Sequence, residues 1–402
     1  MRRMTEKAYI VAAARTPIGR AHKGAFANTR PDDLLAHVLR GVVDQVPSMD
    51  PAAIEDVIIG CAMPEAEQGM NVARIATLLA GLPDSVPAMT VNRFCSSGLQ
   101  TIATAAEQIQ LGQADVMIAG GTESMTMVPM MGHKVSFNPS ILANDENVAI
   151  AYGMGITAEK VAKKWEVSRE AQDAFALRSH QRAIAAIEAG KQQLGSLPYE
   201  VTRYLPGDDG SVREVRHTIE VDEGPRPDTS LEVLGKLRPV FAARGSVTAG
   251  NSSQMSDGAA ALVLMSERAV KEHNVEPLAV FHGFSVAGVP PQIMGIGPIA
   301  AIPKALKRTG VKLDDLSWVE LNEAFAAQAL AVIKEVGLDD EKTNPLGGAI
   351  ALGHPLGATG AVLATKLVHN LKASKPAGQS AYGMVTMCIG TGMGAAGVLE
   401  VL

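Results

Sequence analysis

The stretch VNRFCSSGLQ (91–100) sets one cysteine, Cys95, between a strand-like run and a stretch of small residues that reads as a helix. A helix N-terminus presents unpaired N–H groups and a partial positive charge. Such a site lowers a thiol pKa and favours the nucleophilic thiolate. Cys95 is therefore a candidate nucleophile; the competing reading is a buried, inert cysteine. A second stretch, GGAIALGHPLGATG (347–360), places His354 in an equivalent turn. Cys95 stands three residues before Gly98, and His354 three residues before Gly357. A histidine can take a thiol proton near neutral pH, although the chain has nine histidines and a hydrogen-bonded turn histidine is the plainer reading. Cys388, in MCIGTGMG, closes a buried strand, and the C-terminal ends of strands are where α/β proteins build sites. A second thiol there suits a general acid or base. Cys61 sits in the matching strand region of the first half and reads as a packed cysteine.

Two further signals need weighing. Asn322 in ELNEAFA ends a strand, where its amide could hold a water or a carbonyl oxygen or simply cap a helix. GMGAAG (392–397) fits G-x-G-x-x-G, but that fingerprint requires a following helix and an acidic residue further on. Only five residues follow Gly397, so the segment reads instead as a loop whose N–H groups surround a developing oxyanion.

The elements that must position these residues repeat. In the first part of the chain, AYIVAAARTP (8–17) reads as a strand and turn, and PDDLLAHVLRGVVDQV (31–46) as a helix. IEDVIIGCAMP, the Arg74 helix, SVPAMTVNRF, the Cys95 helix and ADVMIAGGTES follow. The last third gives PIAAIPKALKRTG, LDDLSWVELNEAF, AAQALAVIKEVGL, the His354 segment and YGMVTMCIGTGMG in the same order. Two copies of a β-α-β-α-β unit imply two similar layered α/β halves, with Cys95 and His354 meeting at their junction. Between them lie MTMVPMMGHK, a helix pair (157–190) and the polar run LPGDDGSVREVRHTIEVDEGPRPDTS (205–230), an insertion long enough to form a substrate lid or cradle. The expected division is 1–124 with 246–275, 125–245, and 276–402.

Composition bounds the answer. The chain has 402 residues, 47% hydrophobic and 19% charged, enough for a large core. A net charge of −6 argues against a nucleic-acid partner. Three cysteines in no Cys-x-x-Cys spacing argue against a zinc site or disulfide framework and for a reducing, cytoplasmic setting. No run of 18 apolar residues marks a membrane span, and the N-terminal stretch lacks a secretory apolar core.

NRFCSSGLQ, GGTESM, VTAGNSSQMSDGAAA, LNEAFA, GGAIALGHPLGATG and CIGTGMG, in this order across nearly the whole chain, resemble the thiolase family. The resemblance implies a duplicated βαβαβ fold, a five-layer α-β-α-β-α core with an inserted loop domain. It implies thiolytic cleavage of 3-ketoacyl-CoA in fatty-acid β-oxidation, with Cys95 carrying the acyl group. His354 would activate Cys95 and then coenzyme A. Cys388 would protonate the acetyl-CoA carbanion, and Asn322 would order a water that, with His354, holds the thioester oxygen. The N–H groups of Cys95 and Gly390 would form a second oxyanion hole. No metal or redox cofactor is implied; coenzyme A is a substrate. By motif match Ser253, Leu237, Phe241 and Arg226 would contact coenzyme A, and Met154 and Phe325 would lie near the reacting acyl group, each having ordinary packing as its alternative. A homodimer or homotetramer is expected, and a β-oxidation complex is unreadable.

Acetoacetyl-specific biosynthetic members of that family often carry a His before the Met-Gly where this chain has Gly153, in AYGMGITAEKVAKKW. The methionines of MTMVPMMGHK are adaptable and suit variable acyl chains. Both features favour a broad or longer-chain 3-ketoacyl-CoA thiolase over a biosynthetic acetoacetyl-CoA thiolase. A ketoacyl synthase would pair two histidines with its cysteine, whereas here the third member is Cys388. The readings from other classes are a catalytically silent acyl-CoA- or lipid-binding protein and a redox-sensing or assembly protein using its thiols.

Overall fold

The structure, a computed structural model, describes residues 6–206 and 211–402. Its centre is a ten-stranded sheet. From one edge the order is Ala88–Val91, Asp56–Gly60, Val116–Ser124, Ser256–Met265 and Tyr9–Arg15, then Ala279–Gly288, Met393–Val401, Ala381–Ile389 and Leu316–Leu321. The short strand Gly19–Arg20 pairs with Ser256–Met265. The duplication is visible in the pairing. In the first half Asp56–Gly60 runs parallel to Val116–Ser124, which pairs antiparallel with Ser256–Met265. In the second, Leu316–Leu321 runs parallel to Ala381–Ile389, which pairs antiparallel with Met393–Val401. The two halves are hydrogen-bonded into one sheet through Tyr9 opposite Val280 and Ile10 opposite Ala279.

Helices Pro31–Asp44 and Val72–Leu79 cover the outer face of the first half, and Gly297–Thr309 and Ala326–Val336 that of the second. Ser97–Gln110 and Thr359–Ser374 lie side by side between the two sheet halves, in the largest apolar cluster. Helices on both faces explain why Val116–Ser124 and Ser256–Met265 are buried along their whole length and read as near-continuous small and apolar runs rather than alternating ones. The small residues of the central helices have a direct purpose. A Cβ on Gly360 would stand 2.2 Å from the Leu99 backbone N, and one on Gly98 2.8 Å from that of Ala361. Only glycine lets these helices touch backbone to backbone, and that contact brings their N-terminal turns together.

The segment between the halves contributes helices Met154–Lys164 and Arg169–Glu188, a hairpin of Tyr199–Pro206 with Val212–Ile219, and the short helix Leu231–Gly235. The polar run 205–230 thus holds one strand of a mostly exposed hairpin. Just beyond that strand it is tied to the core. The Arg15 guanidinium grips Asp222 through bonds of 2.7 and 3.0 Å, both side chains almost wholly buried, and Asp222 also accepts the Ile18 N–H. Among the described residues no helix is long and apolar enough to cross a membrane.

Candidate active site

The strand Ala88–Val91 runs into a short 3-10 turn, Phe94–Ser96, that opens the central helix Ser97–Gln110. Phe94 adopts φ +43°, a left-handed conformation that costs a non-glycine residue about 1–3 kcal/mol. Its neighbours hold it there. Its N–H donates to Asn92 Oδ1 at 2.8 Å, Asn92 Nδ2 donates to the Ala62 carbonyl at 3.0 Å, and Ser97 Oγ donates to the Phe94 carbonyl at 2.7 Å. Cys95, the next residue, is half-buried on a cavity of about 750 Å³.

His354 comes to the same cavity from the second half, just ahead of the turn Leu356–Ala358 that opens Thr359–Ser374. Its backbone N–H donates to the Gln254 carbonyl. Nδ1 lies 2.6 Å from the Thr359 hydroxyl, and Nε2 lies 3.3 Å from Asn322 Nδ2. The Thr359 hydroxyl is also 3.1 Å from the Pro355 carbonyl, to which it donates. It therefore accepts from Nδ1–H, and the Nε2 lone pair is left free of a proton. Burial depresses the imidazole pKa to about 4, so the ring is neutral at pH 7. Asn322 is buried, and its Oδ1 has no hydrogen-bond partner among the described residues. It does not cap a helix: the next one begins at Ala326, with Phe325 in the capping position.

Cys388 ends the strand Ala381–Ile389, is buried, and also lines this cavity. Burial pushes its thiol well above the ordinary range, and the neighbouring Cys95 adds to the rise. Cys95 departs from the sequence expectation. Burial pushes its thiol up to about 11, against the backbone N–H groups of Gly390 and Cys95 itself, which pull it down. The helix terminus does not win; the resting pair is a neutral thiol and a neutral imidazole on one cavity. Those two N–H groups are the backbone donors that act on the Cys95 sulfur.

Met154, Phe241, Ser253 and Phe325 line the cavity, Phe241 meeting Phe325 edge-on with ring centroids 6.1 Å apart. Gly390 lies on an adjoining cavity that also reaches Cys95. Arg226 and Leu237 line neither cavity. Arg226 is exposed and gives its backbone N–H to His180 Nδ1, and Leu237 accepts from Arg169 through its carbonyl. Sequence reasoning missed Thr359, although its place five residues after His354 in the same glycine-rich turn was a signal. It also missed Glu123, a fully buried carboxylate beneath the Cys95 and His354 turns. Cys61 lies beneath the same turns, where its thiol faces Glu123 Oε1 at 3.9 Å and burial raises its pKa far beyond reactivity. Among the described residues no group of three His, Cys, Asp or Glu side chains is placed to hold a metal ion.

Residues 8–268 match the N-terminal domain of thiolase and residues 275–401 its C-terminal domain. Over 395 residues the chain is 53% identical to the 3-ketoacyl-CoA thiolase of Bacillus subtilis (strain 168), covering 98% of this chain and 99% of that protein. The crystal structure of the dimeric peroxisomal thiolase of Saccharomyces cerevisiae superposes with a TM-score of 0.87 at 40% identity, covering 100% of this chain and 99% of that one. The acetyl-CoA acetyltransferase of Bacillus anthracis does so with the same TM-score of 0.87 and 40% identity, covering 99% and 100%. The backbone therefore matches a peroxisomal thiolase and an acetyl-CoA acetyltransferase equally well. A duplicated sheet, two matched domains spanning nearly every residue and a relative more than half identical from end to end lead to one conclusion: the chain belongs to the thiolase family.

Proposed function

We propose that the chain cleaves 3-ketoacyl-CoA with coenzyme A, releasing acetyl-CoA and an acyl-CoA two carbons shorter, through an acyl group carried on Cys95. The observation that carries this reading is the meeting of Cys95, His354 and Cys388 on one cavity, with Asn322 against the histidine. Cys95 attacks the C3 ketone as its proton passes to His354 Nε2. The developing oxyanion takes the N–H groups of Cys95 and Gly390. The C2–C3 bond then breaks, and its electron pair leaves with acetyl-CoA as an enolate. That enolate is held on the side of His354 and Asn322 and protonated at C2 by Cys388. His354 next passes its proton to the Cys388 thiolate and accepts that of the incoming coenzyme A thiol. It returns this proton to the Cys95 sulfur as the acyl group departs. Atoms and protons balance without any further reagent.

Met154 and Phe325 flank the reacting acyl group, and Ser253 and Phe241 the pantetheine arm. Leu237 and exposed Arg226 would meet coenzyme A only further out, Arg226 at its nucleotide end. The enzyme works as a homo-oligomer in the cytoplasm. In support, the edge strand Ala88–Val91 is only half-buried, Met70, Leu78 and Leu79 are exposed, and the yeast relative is dimeric.

Thiolysis measured across C4 to C16 3-ketoacyl-CoA substrates tests the activity. Turnover over a range of lengths, abolished together with acyl-enzyme formation in Cys95→Ser, is the expected result. Activity confined to acetoacetyl-CoA would return the biosynthetic reading.

A further inference from the structure

A second buried carboxylate stands behind the site, and the proposed reaction makes no use of it. Glu323 directly follows Asn322 and is 2% exposed. Its Oε2 accepts the Ser179 hydroxyl at 2.6 Å and the Ile350 N–H at 3.2 Å, and its Oε1 accepts the Asn344 side-chain amide at 2.9 Å. The donors come from separate elements. Ser179 lies on the insertion helix Arg169–Glu188, and Ile350 on the short helix Ala349–Leu352 that leads into His354. Asn344 comes from the segment that grips Leu321, the residue before Asn322. Its Oδ1 accepts the Leu321 N–H at 2.9 Å, and its Nδ2 donates to the Leu321 carbonyl at 2.7 Å. We propose that Glu323 is a positioning residue for the reaction, whose carboxylate sets the approach of Asn322 to His354 and ties that pair to the insertion. This rests on the thiolysis reading, in which the pair holds the enolate.

The contacts run to both partners of the 3.3 Å bond between Asn322 Nδ2 and His354 Nε2. On the Asn322 side, Asn344 holds both backbone groups of Leu321, and the Asn322 N–H donates to the Thr386 carbonyl at 2.9 Å. Asn344 is itself held by Glu323 Oε1. On the His354 side, the Ile350 N–H fastens the start of Ala349–Leu352 to Oε2. The far end of that helix is clasped by Gln254. Its Nε2 donates to the Ile350 and Ala351 carbonyls at 3.1 and 3.0 Å, and its own carbonyl takes the His354 N–H. One carboxylate therefore spans the two segments that carry Asn322 and His354. Gly348 makes room for it: a Cβ there would stand 2.2 Å from the Glu323 carboxyl carbon.

The surroundings ask for a carboxylate. The Asn344 amide nitrogen and the Ile350 N–H can only donate. The Ser179 hydroxyl accepts the Gly348 N–H at 3.1 Å and gives its own hydrogen to Oε2. Burial raises the carboxyl pKa, and these hydrogen bonds together with Lys366 oppose the rise. A glutamine of the same shape brings an NH2 group that must face either the Asn344 amide or the Ile350 N–H, donor against donor. Asn344 cannot turn to meet it without giving up the Leu321 N–H. The misfit falls on the segments that flank the Asn322–His354 pair, and a misplacement of about 1 Å at reacting groups costs about 10²-fold in rate. None of these donors lines the cavity, so the same change leaves coenzyme A binding in place.

Kinetics and spectroscopy test the proposal together. In Glu323→Gln, kcat for thiolysis should fall by about 10²-fold while the KM for coenzyme A stays within about twofold. On an Asn322→Ala background the same change should cost no more than about threefold, because both losses act on one pair and do not add. A merely structural loss would be the same on both backgrounds. The second readout needs no turnover: the nitrogen NMR signal of His354 Nε2 in protein carrying labelled histidine, assigned by its disappearance in His354→Ala. That signal moves when the hydrogen bond from Asn322 weakens, so in Glu323→Gln it should shift towards its position in Asn322→Ala. Should Glu323→Gln fail to fold, Ser179→Ala removes one donor at little cost in volume and is read in the same two ways, with a kcat loss of about tenfold. An unchanged kcat, equal losses on the two backgrounds, or a nitrogen signal that stays in place would overturn the proposal while thiolysis itself stands. Absence of thiolysis in the wild type with the signal shift intact would instead overturn the reaction and leave Glu323 as the clamp on the pair.

Discussion

His354 Nδ1 and the Thr359 hydroxyl stand 2.6 Å apart, and the direction of that bond decides what the histidine can do. Because the hydroxyl hydrogen is committed to the Pro355 carbonyl, Thr359 can only accept from the ring. The proton is thereby fixed on Nδ1, and Nε2 is kept as a base. Thr359→Val removes the acceptor and leaves a buried N–H unpaired, so the ring moves its proton to Nε2 or tilts. We expect kcat to fall by about 10²-fold, within the range that general acid/base groups supply. The KM for coenzyme A should change little. Thr359→Ser should recover most of the loss, and equal rates in the Val and Ser variants would remove Thr359 from the mechanism.

The pH behaviour follows from the same burial. With His354 depressed to about 4 and Cys95 raised to about 11, the resting enzyme carries no thiolate–imidazolium pair. Thiolate absorbance attributable to Cys95, read as wild type minus Cys95→Ser, should be absent at pH 7 and grow only as pH approaches 11. A thiolate signal at pH 7 would contradict the neutral pair.

Stability responds in a defined direction. His354 and His180 both sit near 4, each chiefly through burial, below the 6.5 of an unfolded histidine. The unfolded chain binds more protons between those values, so these two groups withdraw stability as pH falls from 6.5 to 4. Each contributes a slope of up to about 1.4 kcal/mol per pH unit. Buried Glu123, Glu320 and Glu323 have raised pKa values and act in the opposite sense above the unfolded carboxylate range. The difference between His180→Gln and wild type isolates the histidine. The variant should lose less stability than the wild type over this window, as read by denaturant unfolding at several pH values.

Glu123 ties the two reactive turns together. Its carboxylate accepts the N–H groups of Ala62 and Gly357, each at 2.8 Å, that of Met63 at 3.3 Å, and the Gln68 side-chain amide. Ala62 supports the Cys95 turn through Asn92, and Gly357 lies three residues beyond His354. In Glu123→Ala the buried N–H groups of Ala62 and Gly357 lose their partner, at about 1–3 kcal/mol for each left unpaired, while the Gln68 amide keeps the Met63 carbonyl at 2.9 Å. Denaturant unfolding should show a loss of several kcal/mol, far more than for Glu267→Ala on the surface. A loss no larger than that surface control would mean that water replaces the carboxylate.

How much of this was legible from residues alone varied with the physics. The meeting of Cys95 and His354 was legible because glycine spacing repeats in both halves and backbone contact between helices admits few other residues. The neutral state of Cys95 was not, because a helix terminus is visible in sequence and the burial that outweighs it is not. Glu123 stood in plain view in GGTES, but nothing local distinguishes a buried carboxylate from a solvated one. Arg15 and Asp222 are 207 positions apart, and neither has a neighbour that announces the pair. Met130 and Met131 of the adjoining cavity stand in a methionine run visible in the sequence, while Ile150 and Tyr152 on the same wall arrive only through tertiary packing.

Cys388 bears the sharpest remaining test, because the two halves of the reaction ask different things of it. Attack of Cys95 on an acyl-CoA without a 3-keto group expels a thiolate, which leaves without a proton on carbon. Attack on a 3-ketoacyl-CoA expels a carbanion, and only that step calls for Cys388 as acid. Its thiol, buried beside Cys95 and raised well above the usual range, holds its proton firmly at pH 7, as a donor to carbon must until the charge develops. His354 serves both reactions as the base to a thiol. Cys388→Ala should therefore lose thiolysis by about 10²–10⁴-fold, the range for a general acid, while keeping measurable acyl exchange between coenzyme A species. His354→Ala should lose both. Equal loss of the two activities in Cys388→Ala would make this cysteine a packing residue and send the search for the proton donor elsewhere on the cavity wall.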